Sequence, residues 1–346
     1  MLSRLNRRLS LAARVLLNGQ VPVEKRREIP AITPQEVTEA RDFFPMDKFF
    51  ILGHARSGTT LLVRLVRLHP QVHCNYQAHF FTRPPLLQSL VDTQEIEAWL
   101  ARRSNRWNQG RDLSPLVLRA VSDFIMERDA RREGKSIVGD KSPSGLLDGQ
   151  AVRLMHKVYP DGRLIYIVRD GRDTVVSHRF QTFIDASQHL SQEDLRLREA
   201  FAHDAEHFMR GEQSIFTEKA IRWAAEGWAR NVTETDQVAR ELYRDRYRCL
   251  RYDHLLARPL EEMQRIWAFL GADPETSDLA RVLDDELARN PDADWQKQKA
   301  GDLIEPLEKG KQGTWRQLFT PRDRDIFKSI AGGALISWGF EQDLDW

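Results

Sequence analysis

Several features that define other classes of protein are missing from this sequence. It has only two cysteines, Cys74 and Cys249, which are too few for a disulfide framework and favour a reducing compartment. No apolar run approaches the roughly 18 residues that a bilayer-spanning helix needs. The 52 basic and 51 acidic side chains give a net charge of +1, so no basic excess indicates binding to nucleic acid. With 41% hydrophobic residues the chain can still form a large core, and any anion site in it must be local.

The N-terminal segment, residues 1–35, has a pattern of its own. Read as a helix, it places Leu2, Leu5, Leu9, Ala13 and Leu16 on one face, with Arg4, Arg7, Arg8 and Arg14 mostly elsewhere. These arginines interrupt the apolar stretches and no convincing cleavage site follows, which argues against a signal peptide. The pattern predicts a basic amphipathic helix that packs on the domain or on a second subunit, or that attaches to an anionic membrane surface. Residues 36–346 are predicted to form one domain.

Short apolar runs that alternate with helical patterns fill this domain. The predicted strands are KFFILG (48–53), VHCNY (72–76), SIVG (136–139), RLIYIV (163–168) and YRCLRY (247–252). The run at 163–168 is apolar throughout, which is typical of a strand in the middle of a parallel sheet. Helical patterns cover about 86–132 and most of 174–244, and 291–321 is predicted to be a long loop. The alternation predicts an α/β fold, a mostly parallel central sheet flanked by helices, with ligands at the carboxyl ends of the strands.

The first chemical motif is the loop Gly53-His-Ala-Arg-Ser-Gly-Thr-Thr60, which joins a predicted strand to a predicted helix. Its two glycines have the spacing of a P-loop, and backbone N–H groups at the helix start would form a cradle for an anion. The lysine that follows the second glycine in nucleotide-hydrolysing P-loops is replaced by Thr59, and a cation, Arg56, stands inside the loop. The motif therefore suits a phosphosulfate better than a triphosphate with Mg²⁺.

The second motif is RLIYIVRDGRDTVVSHRF. Arg169 follows the end of the clearest strand, and Ser177 lies eight residues later, about two helical turns into the next helix. Both side chains can face one anion near the helix start, and Arg172 and Arg179 lie nearby. By itself, the pattern is equally that of a strand, an aspartate helix cap and surface arginines.

The third motif is Gly310-Lys-Gln-Gly-Thr-Trp-Arg316. A glycine-flanked loop that carries Lys311, Trp315 and Arg316 could close over a phosphate and an aromatic base. Solvated loops often have this composition, so the motif gains its weight from the other two.

Together the motifs resemble those of the PAPS-dependent sulfotransferases, which use 3′-phosphoadenosine-5′-phosphosulfate (PAPS), and are closest to the carbohydrate and tyrosylprotein branch. GHARSGTTLL is similar to the family's 5′-phosphosulfate loop, IVRDGRDTVVS to its 3′-phosphate motif, and GKQGTWRQLFTPRD to the Gly-rich loop that covers the nucleotide. LRYDHLLARPLEEMQRIWAFLG resembles the Arg-Tyr-Glu-Asp-Leu segment, and DKSPS (140–144) resembles a Lys-Ser-Pro segment. These matches occur in the family's order over roughly residues 48–330.

The resemblance implies a P-loop-like sulfotransferase fold and in-line transfer of a sulfuryl group from PAPS to the hydroxyl of a sugar, another alcohol or a phenol, without a metal. The product nucleotide would be 3′-phosphoadenosine-5′-phosphate (PAP). The implied 5′-phosphosulfate ligands are Arg56, Ser57, Gly58, Thr59 and Thr60. Arg169 and Ser177 would hold the 3′-phosphate, Tyr252 would lie near the adenosine, and Lys311, Gln312 and Gly313 would close over it. Arg56 or Lys141 would neutralise charge on the leaving oxygen, although Lys141 could also be an exposed lysine at a strand end.

The general base departs from the family pattern. The carbohydrate branch has a glutamate in a stretch similar to Glu-x-His-Phe-Phe, whereas this chain reads CNYQAHFF, with Gln77 at the glutamate position. An amide is no base near neutral pH, so His79 is the candidate and Asp140 the reserve. His54 and His73 remain open, and His79 beside two phenylalanines could also be a packed core histidine.

Two other functional classes remain open at this stage. A nucleotide kinase or GTPase requires the loop lysine and an acidic Mg²⁺ site, and the loop lysine is missing. A nucleotide-binding protein that has lost its base is the second alternative, motivated by Gln77. The histidines form no ligand-spaced set, since His203 and His207 lack a third partner, so no metal is expected. We expect an acceptor with a free hydroxyl as partner, no nucleic acid, and a cytoplasmic location; a homodimer and contact with the inner membrane surface stay open.

Overall fold

A five-stranded parallel sheet forms the centre of the computed structural model, which describes residues 28–83, 87–276, 278–289 and 312–346. The strands are β1 (Asp47–Gly53), β2 (Val72–Tyr76), β3 (Ile137–Lys141), β4 (Arg163–Val168) and β5 (Tyr247–Arg251). Their order across the sheet is β2-β3-β1-β4-β5, and every neighbouring pair is parallel. All five predicted runs are therefore strands, although β1 rather than the run at 163–168 is the central one.

The three inner strands, β1, β3 and β4, are buried on both faces, which explains the continuous apolar character of β1 and β4. Along β1, Phe50 and Leu52 pack into one core, whereas Phe49 and Ile51 pack into the other. The same alternation occurs along β4, because successive side chains of a strand point to opposite faces of its sheet. Two cores on either side of one sheet give a three-layer α/β sandwich, and the predicted fold class is confirmed.

Helices cover both faces of the sheet. In chain order they are α1 (Pro34–Phe43), α2 (Thr59–Val66), α3 (Gln94–Ala101), α4 (Ser114–Arg132), α5 (Gln150–Val158), α6 (Gly171–Asp185), α7 (Gln192–His203), α8 (Ala205–Met209), α9 (Glu218–Tyr243), α10 (Tyr252–Ala257), α11 (Pro259–Leu270), α12 (Leu279–Leu287), α13 (Trp315–Leu318) and α14 (Pro321–Ser337). Three short 3₁₀ turns accompany them within the described ranges, at Leu87–Leu90, Ser187–His189 and Arg244–Arg246. Helices α2, α11 and α12 line one core, and α4, α5, α6, α9 and α14 line the other.

The predicted helical stretch 86–132 is interrupted. Its two helices, α3 and α4, are separated by an irregular segment that Asn108 holds in place, since its side-chain amide donates to the carbonyl oxygen of Leu100 at 3.0 Å. The predicted long loop at 291–321 falls mostly outside the described residues, as does the predicted helix near the N-terminus.

The described chain packs onto the domain from its first residues. Ile29 and Ile32 are buried, and the backbone N–H of Ile32 donates to the carbonyl oxygen of Lys157 at 2.7 Å. Helix α1 begins with a capping box in which Thr33 and Glu36 satisfy each other's backbone N–H groups. Within the described ranges, no helix combines the length and the apolar character required to cross a membrane.

Candidate active site

The loop between β1 and α2 has the geometry of an anion cradle. Gly58 takes a left-handed conformation (φ +93°) immediately before α2, and the first N–H groups of a helix have no acceptor within the helix. Ser57 is fully buried, and its hydroxyl has no hydrogen-bond partner. A buried hydroxyl without a partner is costly, so an oxygen-rich anion in the loop would relieve it. Both features fit a phosphate or sulfate group at this position.

Tyr252, at the end of β5, packs directly over this loop. A Cβ atom on Gly58 would lie 2.2 Å from the Tyr252 ring, so only glycine allows the contact. The guanidinium of Arg169 lies 5.1 Å from the centre of the same ring, a cation–π distance. The first and second motifs are therefore held together by one aromatic side chain from a third element.

Arg56 links the loop to α6. Its backbone is left-handed (φ +73°), and its Nε donates to the hydroxyl of Ser177 at 3.1 Å. From the end of β4, Arg169 donates through Nη1 to the carbonyl oxygen of Arg56 at 3.4 Å. Residues that the sequence assigns to opposite ends of a nucleotide thus meet at the carboxyl edge of the sheet. Arg56, Arg169 and Ser177 form one cluster of two cations and a hydroxyl.

A cavity of about 280 Å³ opens beside this cluster. Its lining includes four of the predicted nucleotide residues, namely Arg169, Tyr252, Gln312 and Gly313. Lys311, the remaining residue of the predicted closing loop, lies outside the described residues. The lining residues that the sequence analysis missed include Arg251, Asp253 and Phe340, which come from β5, α10 and the segment after α14. Arg251 and Asp253 lie inside the quoted LRYDHLL segment, so that segment carried a signal for them, whereas Phe340 had none.

Asp173 holds the third motif against α6. Its carboxylate accepts from the backbone N–H of Gly313 at 2.8 Å and from that of Trp315 at 3.2 Å. Burial raises the pKa of this carboxyl above its usual value, although Arg169 and the two N–H groups oppose the shift. The described end of the glycine-containing loop is therefore anchored beside the second motif, as a nucleotide-covering loop requires.

The arginines that follow Arg169 are structural. Arg172 is buried between the rings of Trp315 and Trp346, 4.0 and 4.3 Å from their centres, and its charge is balanced by Asp170 and Glu341. Arg179 is likewise buried and pairs with Asp194. Neither is a surface arginine, because both charges are matched inside the fold.

Lys141 places another positively charged side chain near the loop. It is the last residue of β3 and is fully buried, so the expectation of an exposed lysine is wrong. Its Nζ lies 3.5 Å from the hydroxyl of Thr60 and 5.5 Å from the centre of the Tyr76 ring. Burial lowers the pKa of this ammonium, which is the shift expected for a cation with few water contacts. A negative charge bound next to Thr60 would offset that cost.

The segment after β2 is held in an unusual backbone conformation. Gln77 and His79 both have positive φ angles, +55° and +53°, which non-glycine residues adopt rarely. Asp140 holds this turn, since it accepts from the backbone N–H of Ala78 at 3.0 Å and from the Ser142 hydroxyl at 2.5 Å. Such strained positions concentrate at functional sites.

His79 is buried at the centre of this turn. Its Nδ1 lies 2.8 Å from the Thr82 hydroxyl, whereas its Nε2 is buried without a hydrogen-bond partner. Burial lowers the pKa of the imidazole to about 4, and the neighbouring charges of Arg83 and Lys141 add to the effect. The ring is therefore neutral at pH 7, with one nitrogen held by Thr82 and the other buried without a partner.

Of the other candidate bases, Asp140 and His73 have both of their hydrogen-bonding side-chain atoms engaged. Both carboxylate oxygens of Asp140 hold the turn, and burial raises the pKa of this carboxyl to about 6. His73 is held between Glu133 and Asn75, both at 2.8 Å. His54 contacts the carbonyl oxygen of Ala55 at 2.9 Å, and burial lowers the pKa of its ring to about 4.

Among the described residues, no group of three or more His, Cys, Asp or Glu side chains is arranged to hold a metal ion. His207, one of the two histidines considered for such a site, pairs with Glu212 at 2.6 Å.

Comparison with known proteins gives one family. A model described as "Sulfotransferase family" matches residues 48–222. A protein-tyrosine sulfotransferase of Drosophila melanogaster is 25% identical over 228 residues, which cover 65% of this chain and 38% of that protein. Protein-tyrosine sulfotransferase A of Caenorhabditis elegans is 30% identical over 132 residues, 37% of this chain and 32% of that protein. Nodulation protein NoeE of Sinorhizobium fredii is 24% identical over 323 residues, 88% of this chain and 69% of that protein.

Solved structures are similar to this chain at lower identity. The crystal structure of mouse sulfotransferase SULT7A1 complexed with PAP has a TM-score of 0.46 and 15% identity, and the match covers 86% of this chain and 88% of that one. The chain spans about a third of the length of the first relatives that it matches by sequence.

Proposed function

Because this chain belongs to the sulfotransferase family, we propose that it transfers a sulfuryl group from PAPS to an acceptor hydroxyl. The observation that carries the proposal is the joining of two anion sites at one edge of the sheet. The loop with Gly58 supplies a backbone cradle, and Arg56 reaches from that loop to Ser177. A nucleotide with anionic groups at both its 3′ and 5′ positions would be held by both sites at once.

The residues present fit such a nucleotide. The unpartnered hydroxyl of Ser57 and the start of α2 fit the 5′ anion, with Thr59 and Thr60 in the first turn of the helix. Arg169 and Ser177 fit the 3′-phosphate. Tyr252 and the cavity beside Arg169 fit the adenosine, and the segment that Asp173 anchors, with Gln312 and Gly313, would cover it. We place Lys311 in the same covering loop.

Charge stabilisation at the reacting end is assigned to Lys141 and Arg56. PAPS supplies the sulfuryl group, and the acceptor oxygen bonds to sulfur as the bond from sulfur to the bridging phosphate oxygen breaks. The negative charge that develops on that bridging oxygen needs a fixed cation nearby. Lys141 is buried beside Thr60, and the water around it is limited, so its charge acts there with little screening.

The acceptor's proton is assigned to His79. Its Nε2 is unpartnered, and its pKa of about 4 keeps the ring neutral at pH 7 and therefore able to accept a proton. Lys141 and His79 lie on neighbouring segments, because the backbone N–H of His79 donates to the Ser142 hydroxyl at 2.9 Å. A well-placed general base typically increases the rate by about 10²–10⁴-fold. We assign Asp140 a positioning role, because it holds the turn that carries His79.

The acceptor class is proposed from the relatives' names. Two of the relatives are named protein-tyrosine sulfotransferases, so a tyrosine phenol in a peptide is the first acceptor to test. Sugar hydroxyls are the second, since the Lys-Ser-Pro segment at 141–143 resembles that of the carbohydrate branch.

Isothermal titration tests the nucleotide site directly. We expect the purified protein to bind PAP in the micromolar range and to bind AMP, which lacks the 3′-phosphate, much more weakly. Arg169→Ala should weaken PAP binding by about 10–100-fold, the loss expected for a charged hydrogen bond, and leave AMP binding nearly unchanged. Arg222→Ala is the matched control, because Arg222 is exposed on α9 and pairs only locally with Glu218 at 2.9 Å.

Two results would contradict the proposal. The first is tighter binding of ATP or GTP with Mg²⁺ than of PAP, which would return the loop to the kinase class. The second is equal binding of PAP and AMP, which would show that the protein does not recognise the 3′-phosphate.

A further inference from the structure

Two tryptophans form an exposed stacked pair in the segment between His79 and Lys141. The rings of Trp99 and Trp107 lie 5.1 Å apart with an interplanar angle of 27°. The two residues are 57% and 51% exposed, although tryptophan is usually buried over most of its surface. A paired apolar surface of this kind on a globular protein indicates a site of interaction.

The pair is held in place by its own segment. Asn105 donates to the carbonyl oxygen of Trp99 at 3.0 Å, and the buried Asn108 donates to that of Leu100 at 3.0 Å. The backbone N–H of Leu113 closes the segment onto Leu100 at 3.3 Å. The rings are thus presented by a fixed scaffold, so binding would lose little conformational entropy in ordering them.

Positive charge surrounds the pair. Arg102, Arg103 and Arg106 are exposed, and no acidic residue occurs from Trp99 to Arg111. None of these three arginines forms an ion pair with an acidic side chain in the described part of the chain, whereas most other arginines do. In a chain with a net charge of only +1, this is a local basic excess. Together the five side chains are called the Trp–Arg patch.

The segment that carries the Trp–Arg patch contacts α1, the helix that precedes β1. Arg111, in the same segment, contacts Glu36 of α1 at 3.5 Å, and α1 leads into the first residue of β1. The described structure begins at Glu28, which pairs at 2.7 Å with Lys157, near the end of α5 and before β4. The 27 residues before Glu28 carry the basic amphipathic sequence pattern.

We propose that the Trp–Arg patch docks the protein on an anionic lipid surface. Indole rings settle at the level of lipid headgroups, and arginines beside them are attracted by anionic lipids, so the two chemistries of the patch match one surface. The N-terminal sequence before Glu28 has the pattern of a basic amphipathic helix, a kind of segment that binds such interfaces. None of the five residues of the Trp–Arg patch lines the nucleotide cavity.

Vesicle co-sedimentation of the full chain tests this proposal. We expect the protein to bind vesicles in which about a third of the lipid is phosphatidylglycerol, to bind pure phosphatidylcholine weakly, and to be released by salt. Each arginine near an anionic surface adds about fivefold to partitioning, so Arg102→Gln/Arg103→Gln/Arg106→Gln should weaken binding by about 100-fold. Trp99→Ala/Trp107→Ala should weaken it by roughly tenfold or more, and should do so at high salt as well.

The matched control is Trp223→Ala/Arg222→Gln, which removes a 71% exposed tryptophan and an exposed arginine from α9. It should bind vesicles as the unmodified protein does. All variants should keep their affinity for PAP, because none of these residues lines the cavity, and this readout separates failure of docking from failure of folding or of the proposed activity.

Three results would overturn the proposal. They are equal partitioning of both patch variants and the unmodified protein, equal binding to neutral and anionic vesicles, and tighter binding to a single-stranded oligonucleotide or a soluble anionic polysaccharide than to the anionic vesicles.

Discussion

The imidazole of His79 and the ammonium of Lys141 share one buried corner of the structure. Burial is the largest cause of the lowered pKa of each, and the charge of Lys141 lowers that of His79 further. A neutral imidazole can accept a proton at pH 7 without first losing one. The same pair shows why the base is difficult to assign from sequence, since burial and neighbouring charges are not visible in the letters CNYQAHFF.

The pH profile of sulfuryl transfer distinguishes His79 from Asp140, and the variant His79→Ala distinguishes it from His54, whose ring also has a pKa of about 4. The base form is lost as the pH falls through the folded pKa, so kcat/KM should stay level down to about pH 5 and fall near pH 4. His79→Ala should lower kcat by about 10²–10⁴-fold at pH 7. His203→Ala, an exposed histidine at the end of α7, is the control and should change neither.

A fall in kcat/KM at another pH would contradict this assignment. If kcat/KM fell near pH 6, Asp140 would be the general base, because its carboxyl has a pKa of about 6. A fall at the ordinary histidine value near 6.5, or full activity in His79→Ala, would remove His79 from the chemistry.

The junction of β1, α2 and β5 depends on one glycine. Gly58→Ala should destabilise the protein by about 1–3 kcal/mol, because alanine is strained at φ +93° and its Cβ would enter the Tyr252 ring. PAP binding should weaken with it, since Tyr252 would be displaced from Arg169. Urea unfolding and PAP titration measure the two effects.

A second glycine provides the matched control. Gly227 lies within α9 with no atom near the position of an added Cβ, so Gly227→Ala should stabilise the protein by about 0.5–1 kcal/mol and leave PAP binding unchanged. Unchanged stability and PAP affinity in Gly58→Ala would contradict the packing described for this junction.

The strands and the phosphate loop could be predicted because their signals are local. A strand buried on both faces reads as a continuous apolar run, and the loop's glycines lie within eight residues of each other. The anchoring of Gly313 by Asp173 has no such signal, since 140 residues separate the two partners. The same holds for Arg172 between Trp315 and Trp346, and for the left-handed residues Gln77 and His79, which depend on Asp140 from another strand. The break at 102–113 did have a local signal, the asparagines and glycine of SNRWNQGR.

The molecule as a whole has two surfaces that are built from different residues. The nucleotide cavity is built at the carboxyl edge from β4, β5, the segment that Asp173 anchors, and Phe340 after α14. The Trp–Arg patch lies on the end of α3 and the segment before α4, and it shares no residue with that cavity. Because the cavity gathers segments that are distant in sequence, a ligand in it should stabilise the whole domain rather than one loop.

Thermal unfolding with and without nucleotide tests this coupling. PAP at about 100 times its Kd should stabilise the protein by about 2.7 kcal/mol and raise Tm by several degrees, whereas AMP at the same concentration should raise it much less. Asp173→Asn keeps only one acceptor oxygen for the N–H groups of Gly313 and Trp315, so the covering segment should be held less firmly and the PAP-dependent rise in Tm should shrink. Asp325→Asn, an exposed aspartate on α14, is the control and should keep the full rise. If Asp173→Asn showed the same PAP-dependent rise as the unmodified protein, the segment would not cover the nucleotide, and the cavity would bind it through β4 and β5 alone.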